Sequence, residues 1–159
     1  MARPDDEVIT FVGDGSYMMM NSDLYSSVLS GHKLIVIVCD NGGFAVINRL
    51  QINQGGEPFN NQIEDTRHRE LVYVDFAAHA AAMGCNSERV ATVHELEVAL
   101  ARARRSDRTT VIALHTDAYS WTGGGAFWEV GVPEVSERPK VQAAKAAMVS
   151  GKQQQRIGT

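Results

Sequence analysis

Val8-Ile-Thr-Phe-Val-Gly-Asp-Gly-Ser16 and Val36-Ile-Val-Cys-Asp-Asn-Gly-Gly43 decide the fold. Each is a short apolar, β-branched run that stops abruptly at small and polar residues. A buried parallel strand ends in this way when it delivers a loop to a site. Between them Met20, Leu24 and Val28 recur at helical spacing and Gly31 follows as a stop, which predicts a helix over 17–30. The unit is strand, glycine-rich turn, helix, strand, polar turn. In a right-handed βαβ unit both strands open at the same sheet edge, so Asp14 and Asn41 are expected to face one crevice.

The charge of the first turn indicates what the crevice binds. Gly13 and Gly15 are expected to let the backbone turn tightly, and the amides near Gly15 and Ser16 open a helix whose N-terminus favours an anion. Asp14 places a carboxylate in the same turn, where it would repel a phosphate unless a cation stood between them. Carboxylate, amide, carbonyl and phosphate oxygens are hard ligands suited to octahedral Mg²⁺ at about 2.0–2.1 Å. The residues therefore read as a Mg²⁺-bridged diphosphate site. A dinucleotide fingerprint fails, because Met18 stands where its third glycine belongs and it needs no acid in the turn. Alone, Gly-Asp-Gly would read as a tight turn with Asp14 as a helix cap and Asn41 as an ordinary turn residue. Its pairing with a second strand ending in Asp-Asn-Gly-Gly favours the metal site.

Outward from this unit the pattern alternates. Phe44, Ile47 and Leu50 predict a short helix over the site, and residues 51–70 form a long, weakly periodic segment expected as a substrate-facing lid or a plain surface loop. Asp75 is an N-cap candidate for a helix with Phe76, Ala80 and Met83 inward and Gly84 as its stop. A strand over 87–92 follows. Thr92 and Glu95 have capping-box spacing before a helix with Val93, Leu96, Leu100 and Ala103 on one face. Another strand spans 109–115, a glycine-rich loop carrying Trp121, Phe127 and Trp128 suggests a docking surface, and Pro139 opens a last helix. The class is α/β, a mostly parallel sheet with flanking helices, with residues 1–150 as the domain and 151–159 as a polar tail.

Composition excludes several functions. With 159 residues, net charge −4 and 21% charged residues, the chain has no basic block for nucleic acid and no apolar run of roughly 18 residues for a membrane. Cys39 and Cys85 lack ligand spacing and read as free thiols of a cytoplasmic protein. The five histidines are scattered without metal spacing. Gly-Asp-Gly-Ser is not a nucleophile elbow. No catalytic side chain is assigned.

Gly13-Asp14-Gly15-Ser16, followed by Asp40-Asn41 after one helix and one strand, resembles the motif of thiamine diphosphate enzymes that begins Gly-Asp-Gly and ends in Asn. The resemblance implies that Asp14, Asn41 and the carbonyl of Gly43 ligate Mg²⁺. It places Gly13, Gly15, Ser16, Asn41 and Gly43 at the diphosphate. Phe44-Ala-Val-Ile-Asn-Arg-Leu-Gln51, the helix after Val74 and Phe127-Trp-Glu-Val-Gly-Val-Pro-Glu-Val-Ser136 resemble one branch, the trihydroxycyclohexane-dione hydrolases of myo-inositol breakdown. That implies cleavage of a carbon–carbon bond in a cyclic 1,2-dione, with the cofactor as electron sink.

The likeness covers only the C-terminal part of such a protein. It implies that a first strand and helix of the domain are missing, and that an N-terminal part or partner chain supplies the activating glutamate. The complete enzyme is expected to be a homo-oligomer. Glu57, Glu64 and Glu70 match no such motif. An acetolactate synthase-like carboligase or decarboxylase portion, a split small subunit and a non-catalytic α/β binding module remain as alternatives.

Overall fold

The computed structural model describes residues 6–121, 131–133 and 135–155. Four strands, β1 (Ile9–Gly13), β2 (Ile35–Asp40), β3 (Asn86–Val90) and β4 (Thr110–His115), form a wholly parallel sheet in the order β1-β2-β4-β3. The helices are α1 (Asp14–Met20), α2 (Ser22–Ser30), α3 (Ala45–Asn53), α4 (Phe76–Ala82), α5 (Val93–Arg105) and α6 (Pro139–Gln154).

The alternation in β2 shows why the sheet is buried on both faces. Val36 and Val38 point into one core with Tyr17, Leu24, Phe76, Ala80, Val111 and Ala113. Ile35 and Ile37 point into the other with Ala99, Ala103 and Ile112. Helices α1, α2 and α4 therefore cover one face and α5 the other. The chain steps from β1 to β2 in one direction and from β3 back to β4 in the other, with the connecting helices on opposite faces. Such a reversal opens a crevice at the carboxyl ends of the strands. At the opposite edge Ser27 and Thr109 share a buried hydroxyl hydrogen bond of 2.7 Å, tying α2 to the start of β4.

Several expectations about helix faces are corrected. The first helix begins at Asp14 rather than Tyr17 and is interrupted at Asn21. Its inward positions are Tyr17, Leu24 and Ser27, whereas Met20 is 62% exposed. Tyr17 can take the core position because its hydroxyl meets His79 Nδ1 at 2.9 Å and its ring meets Phe76 edge-on. On α3 the buried residues are Ala45 and Asn48, and Ile47 faces outward.

Asp75 caps α4 by accepting from the N–H of Ala78. Thr92 caps α5 by accepting from Glu95, but Glu95 reaches the N–H of Ala91 and Val93 is exposed. Helix α6 runs past Gly151 to Gln154, since Lys152, Gln153 and Gln154 are sound helix formers, so the helix extends beyond the boundary drawn at 150. Phe127, Trp128 and the three glycines before them lie outside the described residues.

Candidate functional site

The carboxyl ends of β1 and β2 lie side by side, with Gly13 in register with Cys39. Asp14 is the first residue of α1, at the end of the helix where a carboxylate is favoured by the aligned peptide dipoles. It is 6% exposed. Its Oδ2 accepts from the N–H of Gly43 at 2.6 Å and its Oδ1 from the N–H of Asn41 at 3.4 Å. Burial pushes the Asp14 carboxyl above the ordinary value of 3.8, opposed by these backbone hydrogen bonds and reinforced by the charge of Asp40.

The turn after β2 is shaped to meet this carboxylate. Asp40 Oδ1 accepts from the N–H of Gly42 at 3.1 Å. Gly42 and Gly43 have φ of 77° and 146°, and a Cβ on Gly43 would stand 2.4 Å from the Asn61 carbonyl oxygen. Both glycines are therefore required by the backbone. A Cβ on Gly15 would strike the ring of Phe44 at 2.6 Å and approach the Gly43 carbonyl oxygen at 3.4 Å. Gly13, by contrast, is extended at φ −74° with open space where a Cβ would lie, so the tight turn expected there is not what it provides. Ser16 is exposed on the first turn of α1.

The Asn41 amide, the Asp14 carboxylate and the Gly43 carbonyl converge at this point. One terminal atom of the Asn41 amide stands 3.0 Å from Asp14 Oδ1 and 3.1 Å from the Gly43 carbonyl oxygen. Without a cation, those distances fit the amide nitrogen donating to both oxygens. Turned over, the amide presents its oxygen at the same place. Adjacent ligands on an octahedron of radius about 2.0–2.1 Å are separated by about 2.9–3.0 Å, so both spacings suit edges of a Mg²⁺ shell. The donor set holds a single formal charge, which leaves the remaining neutralisation to an anionic ligand.

Elsewhere, no group of three His, Cys, Asp or Glu side chains that could hold a metal is found among the described residues. Both cysteines are unpaired. No helix among the described residues is long and apolar enough to cross a membrane.

A cavity of about 370 Å³ opens over the turn, lined by Asp14, Gly15, Gly43 and Phe44 and walled by apolar residues including Val72 and Val74. The segment expected as a lid does border it, through Asn60, Asn61, Gln62 and Ile63. This part is stitched down. Phe44 N–H donates to Asn61 O at 2.7 Å and Ile63 N–H to Gly42 O at 2.8 Å, and Ile63–Asp65 forms a 3₁₀ turn.

Nothing in the sequence singles out Gln62. It is 7% exposed. Its amide, oriented to suit its neighbours, donates to the carbonyls of Asn41 and Gly42 at 3.1 and 3.2 Å and accepts from Ala45 N–H at 3.1 Å. One side chain thus holds the turn after β2 to the start of α3. A glutamine in an aperiodic stretch gives no local signal of such a contact.

Residues 1–114 match the model of the family described as "Thiamine pyrophosphate enzyme, C-terminal TPP binding domain". The chain is 39% identical over 163 aligned residues to 3D-(3,5/4)-trihydroxycyclohexane-1,2-dione hydrolase 2 of a Bacillus cereus strain, covering 98% of this chain and 25% of that protein. It is 37% identical, with the same coverage, to the hydrolase of Bacillus thuringiensis (strain Al Hakam). The chain thus spans about a quarter of the length of these curated relatives.

Among solved structures, a thiamine diphosphate-dependent 4-hydroxybenzoylformate decarboxylase of Rhodococcus jostii RHA1 is similar with a TM-score of 0.63 and 26% identity, over 73% of this chain and 21% of that one. Benzoylformate decarboxylase from Polynucleobacter necessarius shares the fold, with a TM-score of 0.63 and 23% identity over 74% of this chain and 20% of that one. With the matched family model covering the sheet and both turns, the chain belongs to the thiamine pyrophosphate enzymes, within their C-terminal cofactor-binding domain.

Proposed function

We propose that this chain supplies the Mg²⁺ and diphosphate end of a thiamine diphosphate-dependent hydrolase that opens a cyclic 1,2-dione of the trihydroxycyclohexane type. The observation that carries the metal assignment is the convergence of Asp14 Oδ1, the Asn41 amide and the Gly43 carbonyl. The relatives at 37–39% identity support the reaction class. Asp14, Asn41 and Gly43 would hold the metal. The open ground at Gly13 and the first turn at Gly15 and Ser16 would face the diphosphate. When bound, the cofactor supplies a nucleophilic carbon and an electron sink for cleavage of a carbon–carbon bond.

The residues of this chain anchor and orient. Asp14 would contribute the fixed negative charge, Asn41 would turn its amide over to present oxygen to the metal, and Gln62 keeps the turn from splaying. Phe44 closes over Gly15 and limits water at the helix start. The proton transfer that activates the cofactor belongs to a glutamate elsewhere in the complete enzyme or in a partner chain, and a homo-oligomer would bring such a group to the site.

Calorimetry tests the assignment. Thiamine diphosphate should bind with Mg²⁺ and far more weakly without it. Asp14→Ala should weaken Mg²⁺-dependent binding by roughly a hundredfold or more, since a charged partner is removed from a buried site. Unchanged affinity in that variant would rule out the proposed metal site.

A further inference from the structure

Two further cavities adjoin the one over the diphosphate turn, and they differ in charge. One, of about 320 Å³ at the carboxyl end of β4, shares Gly42, Gln62, Ile63 and Tyr73 with it and carries the carboxylates of Glu64 and Asp117. The other, of about 370 Å³, shares Asn60 and Gln62 with it and is completed by Thr66 and Arg67. No acidic residue is among the described residues that line this one.

The fold delivers Arg67 to that place. Gln62 and Asp65 cap the Ile63–Asp65 turn reciprocally, with the Asp65 carboxylate accepting from the Gln62 N–H at 3.2 Å. Thr66 N–H donates back to Ile63 O at 3.2 Å, and Ile63 is itself tied to Gly42. Arg67 follows at the exit of this anchored turn. Thr66 Oγ1 accepts from His68 N–H at 3.4 Å, which leaves its hydroxyl proton to donate elsewhere. On the other lip Asn60 is held at φ 50°, a left-handed conformation uncommon outside glycine and found often at binding sites. The ion pairs among the described residues engage Arg89, Arg102, Arg104, Arg138 and Lys140, and Arg49 lies over Trp121. Arg67 stands in none of these contacts and is exposed.

The reaction proposed above creates an anion for such a group. Hydrolysis of a 1,2-dione breaks the bond between its two carbonyl carbons. One carbon gains the oxygen of water and becomes a carboxylic acid; the other gains a hydrogen and becomes an aldehyde. Water alone balances the step, and the acid releases its proton near neutral pH. A neutral ring thus leaves as an open chain bearing one carboxylate. We infer that Arg67 receives this carboxylate, in a product subsite that Asn60 and Thr66 complete. The inference rests on the function proposed above. Glu64 and Asp117 repel the new charge from the acidic cavity, whereas the planar fork of Arg67 can donate to both carboxylate oxygens. The contrast between the two cavities sets which way the opened chain lies.

The test is a heteronuclear NMR titration of the 159-residue chain with Mg²⁺ and thiamine diphosphate present. Sodium gluconate and sorbitol are the probes, two open polyhydroxylated chains that differ in one carboxylate, with sodium chloride matching the ionic strength. Gluconate should shift the Arg67 Nε–H and the amides of Asn60 and Thr66, and sorbitol and chloride should leave the Arg67 Nε–H unmoved. Arg67→Gln should weaken gluconate by roughly fivefold or more, with cofactor affinity unchanged. Arg67→Lys should retain more binding than Arg67→Gln, because it keeps the charge without the fork. Equal shifts with sorbitol or chloride, or gluconate binding untouched by Arg67→Gln, would overturn the inference and leave the metal site standing. A matching loss of cofactor affinity in Arg67→Gln would overturn it too, by giving Arg67 to the diphosphate. If the unaltered chain fails to bind the cofactor, the diphosphate proposal fails. Gluconate titrated without cofactor then decides Arg67: a loss on Arg67→Gln supports the carboxylate site and no loss ends it.

Discussion

Asp14 combines burial with charge, and the two have opposite consequences for folding and binding. Its native carboxyl titrates above 3.8, chiefly because burial disfavours the ionised form. A raised native value means that the folded chain holds this proton more tightly than the unfolded chain. The stabilising contribution is complete below 3.8 and is lost as pH rises through the native value. The metal-free protein should therefore lose stability across that window relative to Asp14→Asn, which has no carboxyl there to titrate.

Mg²⁺ with thiamine diphosphate should reverse the slope, because the metal requires the ionised form. Denaturant titrations at stepped pH, with and without the two ligands, check both signs. That Asp14 and Asn41 face one crevice was legible in sequence because strand ends are marked locally by β-branched runs that stop at small polar residues. Gln62 was not legible, because its contacts to Asn41, Gly42 and Ala45 are made only by the folded chain.

Strands and helices were readable to different depths. The central strands β2 and β4 stood out because strands buried on both faces demand continuous apolar runs, as in Ile35–Cys39 and Thr110–Leu114, whereas β3, Asn86-Ser-Glu-Arg-Val90, carries no such run. Helix faces were harder. Met20 was read as inward with Leu24 and Val28, yet it is exposed and Tyr17 took the core place beside Leu24 once His79 could satisfy its hydroxyl. On α3 the large apolar residues turned outward because Phe44 packs on Gly15 and Asn48 faces in.

The aperiodic stretch after α3 was readable as site-facing, but not as anchored. Its anchoring gives an expectation for hydrogen exchange. The amides of Phe44 and Ile63 should exchange slowly even without ligand, whereas those of Arg67 to Tyr73 should exchange quickly and slow only when the site is filled. Fast exchange at Ile63 in the ligand-free chain would mean that the stitch to Gly42 is not maintained.

The whole sheet has two edges among the described residues, β1 and β3, and they are not equally protected. Strand β3 carries Glu88, paired with Arg102, and Arg89, paired with Asp75. Strand β1 instead exposes Phe11 at 65%, with Val8 just before it at 43%. An unpaired apolar edge invites pairing with another chain. The 159-residue chain should therefore self-associate with concentration, and Phe11→Lys should shift sedimentation toward monomer; a wild-type chain monomeric at high concentration would refute this.

At the centre of the molecule's proposed role stand three oxygens offered to a divalent cation beside a diphosphate. Anomalous diffraction from crystals grown with Mn²⁺ and thiamine diphosphate tests this most directly. One peak is expected within about 2.0–2.3 Å of Asp14 Oδ1, Asn41 Oδ1 and the Gly43 carbonyl oxygen, bridging to the diphosphate. A bound cofactor whose metal sits away from these three atoms, or whose diphosphate lies elsewhere on the sheet, would contradict it.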